Sequence, residues 1–178
     1  MKLLRYNPHT IAQLREKGGI MTSQRPTIAG TGDAQTSMTR QQMLDFFERR
    51  WEAYEDLDAA RLAADYADDA VIESPTAGVH TGREAAERTF RLVFSAFLDL
   101  TMSVESLIVD GNSAAALLSI EGTHIGEFLG LPPTGKRFTM PVAIFYQLDD
   151  GKIVRERRIY DFTGLLVQIG VLKAKPAL

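Results

Sequence analysis

The 178-residue sequence contains no cysteine. Disulfides, thiolate nucleophiles and every cysteine-ligated zinc or iron–sulfur site are thereby excluded, and the chain suits a reducing compartment, the cytoplasm being the expected location. Histidine is scarce: His9, His80 and His124 stand far apart, with no H-E-x-x-H or H-x-H pair. No metal site is expected from them. No window approaches the roughly 18 uninterrupted apolar residues of a membrane-spanning helix, and the start has no apolar run of the about 7 to 15 residues found in a secretory signal. A net charge of −3 does not supply the basic face that nucleic acid or a membrane surface would require. The G-x-S-x-G elbow, the G-x-x-x-x-G-K-[ST] phosphate loop and the G-x-G-x-x-G fingerprint are also missing.

What is present divides unevenly. Residues 1–38 carry five Lys or Arg against two acids, a local charge of +3 that leaves −6 on the rest. From Gly18 this leader is rich in Gly, Ser and Thr without aliphatic periodicity, so it cannot bury enough to offset its ordering entropy. We expect a disordered leader or an over-extended start, with Met21 or Met38 as the true beginning, then one domain over 39–172 and a basic tail over 173–178.

Within the body, Thr39 followed by Gln42 is a capping-box signature, and Met43, Phe47, Trp51 and Tyr54 recur at helical spacing. A short helix over 59–66, a strand over 70–74, a loop containing Gly78, His80 and Gly82, and a helix over 83–97 follow. From residue 100 to 161 the pattern reads as strands, with hairpin turns at Asp110-Gly111-Asn112 and Asp149-Asp150-Gly151. A Gly/Pro-rich insertion, HIGEFLGLPPTGKR, separates the hairpins, and loops of this kind mounted on a sheet often carry function. An amphipathic segment over 163–169 closes the body. Helices first, then a long antiparallel meander, is the α+β pattern, a curved sheet wrapped around the first helices as a cone with one open end.

The last strand, KIVRERRIYD, is dense in charge. Alternation places Ile153, Arg155, Arg157, Ile159 and Asp161 on one face and Val154, Glu156, Arg158 and Tyr160 on the other. Neither face is cleanly apolar, so Arg155, Glu156 and Arg158 either pair across an exposed sheet or meet a cavity or partner. Asp161 leads into the apolar FTGLL segment, which would desolvate its carboxylate and fit it to carry a proton; the same position equally suits an N-cap. Arg157 shares its face about 13 Å along the strand. Glu73 lines the same cavity or forms a surface ion pair. His124 polarises a carbonyl or anchors the Gly/Pro loop. Trp51, Tyr54, Tyr66, Phe128 and Tyr160 are candidates for an apolar pocket or simply core.

The stretches GTHIGEFLGLPPTGKRF and DGKIVRERRIYDFTGLLVQIG resemble the SnoaL-like polyketide cyclase or ester cyclase group of the nuclear transport factor 2-like superfamily. FFERRWEAYEDLDAARLAADYADDAVIESP and HTGREAAERTF resemble that group's opening helices, first strand and G-x-E-A helix. The resemblance spans residues 39–171. It implies a cone-shaped α+β barrel with a deep apolar pocket, a homodimer formed through the outer sheet face, and intramolecular aldol ring closure of a small hydrophobic carbonyl or ester compound without metal or organic cofactor. It also implies that Asp161 is the general acid/base; His124 and Arg157, from the reading of the residues themselves, are the candidate supports. The rival readings are a non-catalytic binder of small hydrophobic ligands, a dimerisation module, and an epoxide-hydrolase arrangement of Glu73, Arg157 and Asp161.

Overall fold

The computed structural model describes residues 38–173. The expected leader, Met38 apart, and the last five residues of the expected tail lie outside the described residues. The elements in chain order are α1 (Arg40–Glu55), α2 (Ala59–Ala64), β1 (Tyr66–Ser74), β2 (Gly78–Thr81), α3 (Arg83–Ala96), β3 (Thr101–Asp110), β4 (Ser113–Thr123), β5 (Arg137–Asp149), β6 (Lys152–Tyr160) and α4 (Phe162–Gln168).

Local sequence explains most of the boundaries. At α1 the Thr39 hydroxyl accepts from the Gln42 backbone N–H at 3.2 Å, while the Thr39 N–H donates to Gln42 Oε1 at 2.8 Å. These reciprocal bonds satisfy two donors that the first turn leaves without intrahelical partners. Met43, Phe47 and Trp51 are buried as their spacing predicts, and a charged residue, Arg50, is buried among them. The β5–β6 hairpin turns on Asp150 and Gly151, both at positive φ, which matches the right-handed twist of its strands.

The strands form one six-stranded sheet in the order β2-β1-β6-β5-β4-β3. Two expectations need correction. The segment read as a loop around His80 contains the short strand β2, paired antiparallel with β1. The sheet is also not purely antiparallel, because β1 lies parallel to β6, with Ile72 opposite Glu156 and Glu73 opposite Arg157. A tight turn dictates direction only for the strands it joins, and no turn joins β1 to β6, so nothing local signalled this pairing.

On β5, Phe138, Met140, Val142, Ile144 and Tyr146 are buried and alternate with exposed residues. This inner face packs in one core with α1 and α3. Register carries the face across neighbouring strands, with Ile120 opposite Met140, Tyr160 opposite Val142, Arg158 opposite Ile144 and Glu156 opposite Tyr146. A register shift between Gln147 and Leu148 breaks the alternation on β6, so Ile153 is buried although Arg155, Arg157 and Ile159 beyond it face outward.

The Gly/Pro-rich insertion is pinned at Gly126. Ile125 N–H and Gly126 N–H both donate to the Ala96 carbonyl, at 3.1 and 3.0 Å, and a Cβ on Gly126 would stand 2.2 Å from the Ser95 carbonyl oxygen. Only glycine permits that approach, which delivers Phe128 to Phe97 with ring centroids 5.1 Å apart. Among the described residues no helix is long and apolar enough to cross a membrane.

Candidate active site

Between α3 and the inner face of the sheet lies a cavity of about 360 Å³. Its walls are mainly apolar: Val93 and Phe97 from the α3 side, Phe128 from the insertion, and Met140, Val142 and Ile144 from β5. The strand β2 brings His80 to the wall, and the imidazole Nε2 is buried without a hydrogen-bond partner among the described residues. Nearby wall residues form a cluster of hydroxyls. Tyr160 Oη is 2.9 Å from Ser74 Oγ and 2.7 Å from Thr76 Oγ1, which are 3.1 Å from each other. Tyr54, also in the wall, packs edge-on against Phe90, and its burial pushes the phenol pKa up, so it remains protonated. The cavity thus pairs an apolar body with a few polar groups able to orient a ligand.

Behind Arg158 the core holds an ionic network. Glu156 accepts from Arg158 Nε and from the Tyr66 hydroxyl, and lies 3.6 Å from Arg50 Nη2. Arg50 donates to Tyr66 Oη at 2.7 Å, to the Leu62 carbonyl at 3.0 Å and to Asp65 at 3.1 Å. Burial by itself drives a carboxyl pKa up, but the two guanidinium groups and the Tyr66 hydroxyl hold Glu156 below the usual glutamate value. Burial opposes charge on Arg158 as well, and Glu156 beside it reverses that effect, so both partners stay ionised.

A family model described as SnoaL-like polyketide cyclase matches residues 38–169. The chain belongs to this family. It is 34% identical over 107 residues to the nogalonic acid methyl ester cyclase of Streptomyces nogalater, a match covering 60% of this chain and 78% of that one. Among solved structures, IdmH of Streptomyces antibioticus is 31% identical with a TM-score of 0.62, over 74% of this chain and 99% of its own. TsrD of Streptomyces laurentii is 26% identical with a TM-score of 0.68, over 76% and 99%.

In this SnoaL-like chain the residues singled out from sequence do not converge. Asp161 is exposed, and its Oδ1 accepts from the Gly164 N–H at 2.8 Å as the N-cap of α4. It is not desolvated as expected, and of its two readings the cap is what the fold builds. Arg157 points outward with its guanidinium 3.3 Å from Glu73, and Glu73 also accepts from Arg155 at 2.6 Å. Alternation fixes this, since Arg155 and Arg157 share the outer face opposite Glu156, Arg158 and Tyr160. The trio Glu73, Arg157 and Asp161 accordingly forms no cavity site.

His124 is fully buried, with Nδ1 3.2 Å from Thr134 Oγ1 and its ring against Phe97 and Phe128; among the described residues Nε2 has no partner. Its backbone accepts from Gly135 and donates to Lys136, so it anchors the loop and is not in the cavity wall. Trp51 is core, and Tyr66 belongs to the ionic network rather than the cavity wall. Tyr54, Phe128 and Tyr160 line the cavity as expected.

The sequence reading undervalued His80, Arg158 and Glu156 and did not single out Arg50. A signal for Arg50 was available: it occupies a position in the apolar stripe of α1, where an unpaired charge is costly.

Proposed function

We propose that this protein is a cyclase that closes a ring in a small, largely apolar carbonyl or ester compound by intramolecular aldol addition, with His80 as the proton carrier and no metal or organic cofactor. The observation that carries this reading is the His80 imidazole, its Nε2 buried and unpartnered in the wall of an apolar cavity. Imidazole exchanges protons readily near neutrality. In the proposed step His80 takes a proton from a carbon flanked by two carbonyls, and the resulting enolate carbon attacks a third carbonyl elsewhere in the same molecule. The new alkoxide then recovers the proton, so one C–H and one C=O become a C–C bond and an O–H with no atom gained or lost. In this reading the Tyr160 hydroxyl, held by Ser74 and Thr76, donates to the accepting carbonyl, and the apolar wall supplies orientation. Membership of a cyclase family and the name of the nogalonic acid methyl ester cyclase support the reaction class.

The test is a panel of β-keto esters and polycyclic ketones incubated with the full-length protein without added metal or cofactor and followed by mass spectrometry and NMR. The expected product has unchanged mass and one ketone fewer. A panel left wholly unconverted counts against catalysis and favours a binding module.

We also propose that the protein works as a homodimer joined through the outer sheet face. Ile108, Leu117, Phe145 and Ile159 are exposed there, with Leu117, Ala143 and Ile159 paired across three strands. An apolar stripe of this kind is self-complementary about a twofold axis. Phe145→Glu is expected to shift the protein to a monomer in light scattering after gel filtration, while Leu98→Glu, in the exposed turn between α3 and β3 and outside the sheet, leaves the mass unchanged. A wild-type monomer would sink this assembly.

A further inference from the structure

We propose that Arg158 is an oxyanion receptor, so that the molecule taken by this cavity carries a carboxylate- or enolate-type oxygen at one end of an apolar body. The inference rests on the cavity being the substrate pocket of the proposed cyclase, and it names the substrate class for that pocket.

The cavity wall contains no Asp or Glu among the described residues. Its two permanently charged groups are both cations. Arg88 stands at the rim, 70% exposed and 3.8 Å from Glu84. Arg158 stands inside, with a side chain only 12% exposed.

The guanidinium of Arg158 is held in place on three sides. Nε donates to Glu156, Nη2 lies 3.5 Å from Tyr66 Oη, and the group sits over the Phe90 ring at 5.2 Å from its centroid. Nη1 makes no hydrogen bond to the described residues, so part of the fork is available to a ligand. A fixed guanidinium of this kind gives up little side-chain freedom on binding and suits the geometry of a planar oxyanion.

Charge balance points the same way. Among the described residues, Arg49, Arg50 and Arg158 share two carboxylates, Asp65 and Glu156, and Glu156 is divided between Arg50 and Arg158. A cation facing a mainly apolar cavity is stabilised by an anionic oxygen arriving from the open side. The same placement lowers the cost of enolate formation, because deprotonation of a dicarbonyl carbon moves charge onto an oxygen within reach of the receptor.

The experiment is isothermal titration calorimetry of the full-length protein with 2-naphthoate and 2-naphthalenemethanol, which share one ring system and differ in the anionic group. Naphthoate is expected to bind at least tenfold more tightly. Arg158→Gln is expected to remove that preference while leaving the affinity for the alcohol, and Arg88→Gln to leave the preference intact. Equal binding of the two probes by the wild type overturns the proposal, as does a preference that survives Arg158→Gln. Because the wild-type comparison already decides, an Arg158→Gln protein that fails to fold by circular dichroism does not remove the test. Binding of neither probe would instead count against the cavity as a substrate pocket, and so against the proposed function itself.

Discussion

His80→Gln is expected to reduce turnover of a converted panel substrate by roughly 10²- to 10⁴-fold, the range typical for removal of a positioned acid/base. Glutamine keeps a similar length and can still make hydrogen bonds, but it cannot carry a proton. The imidazole is suited to the role because its Nε2 is buried in the cavity wall with no protein partner. A buried polar atom left unpaired carries a desolvation cost of about 1–3 kcal/mol. Asp161→Asn is the informative companion. Asparagine caps a helix about as well as aspartate, so the bond to Gly164 survives and the stability of α4 should hold. Turnover by Asp161→Asn is therefore expected to stay close to wild type. If it falls by the larger factor while His80→Gln stays active, proton transfer belongs to the carboxylate and the assignment to His80 is wrong.

Glu156→Gln should cost about 3–5 kcal/mol of stability, the usual penalty for removing one partner of a buried ion pair. The substitution leaves Arg50 and Arg158 facing each other with neutral Gln and Tyr66 between them. The Arg50 guanidinium cannot reach water easily, since Arg50 is 2% exposed. The midpoint of thermal unfolding should fall by about 10 °C. Glu73→Gln, which breaks exposed pairs with Arg155 and Arg157, serves as the contrast and should cost less than about 1 kcal/mol.

Acid should act on the same group. The native pKa of Glu156 is depressed, so the folded state binds fewer protons than the unfolded one. Its contribution is fully present above the ordinary glutamate value of about 4.3 and is lost as pH falls through the lower native value. Urea unfolding of the wild type at pH 7, 5, 4 and 3 should therefore show a steepening loss below about pH 4.3. Glu156→Gln should show a shallower one. Parallel curves for the two proteins would mean that Glu156 is not the group linking acid to stability.

Much of the fold was legible residue by residue. The Thr39–Gln42 box opened α1 where expected, the helix read over 83–97 formed as α3 over Arg83–Ala96, and both hairpin turns fell at their Gly-containing triplets. These features depend on contacts within a few residues, which composition and spacing report directly. The strand β2 escaped notice because four residues bearing one apolar side chain carry no usable period, and its existence depends on β1 as a template.

The site was less legible for a related reason. Strand alternation correctly separated Arg157 from Arg158, but it could not say which face was inside, because both faces carried charge. That choice was made by Arg50 from α1, Tyr66 from β1 and Glu156 from β6, which meet only once the sheet has curled over the helices. Asp161 drew attention by its sequence neighbours, whereas its partner is the backbone of its own helix.

By itself the sequence determined the helices and hairpins, the α+β order, the resemblance to the SnoaL-like family, and the absence of thiol chemistry. Tertiary structure decided the rest. It ran β1 parallel to β6, turned Glu156, Arg158 and Tyr160 inward, and put His80 in the wall of an apolar cavity with its Nε2 buried and unpartnered among the described residues. The physical reason is that a charge or an imidazole takes its meaning from burial and from partners distant in sequence, here up to about 90 residues away, and local pattern contains neither.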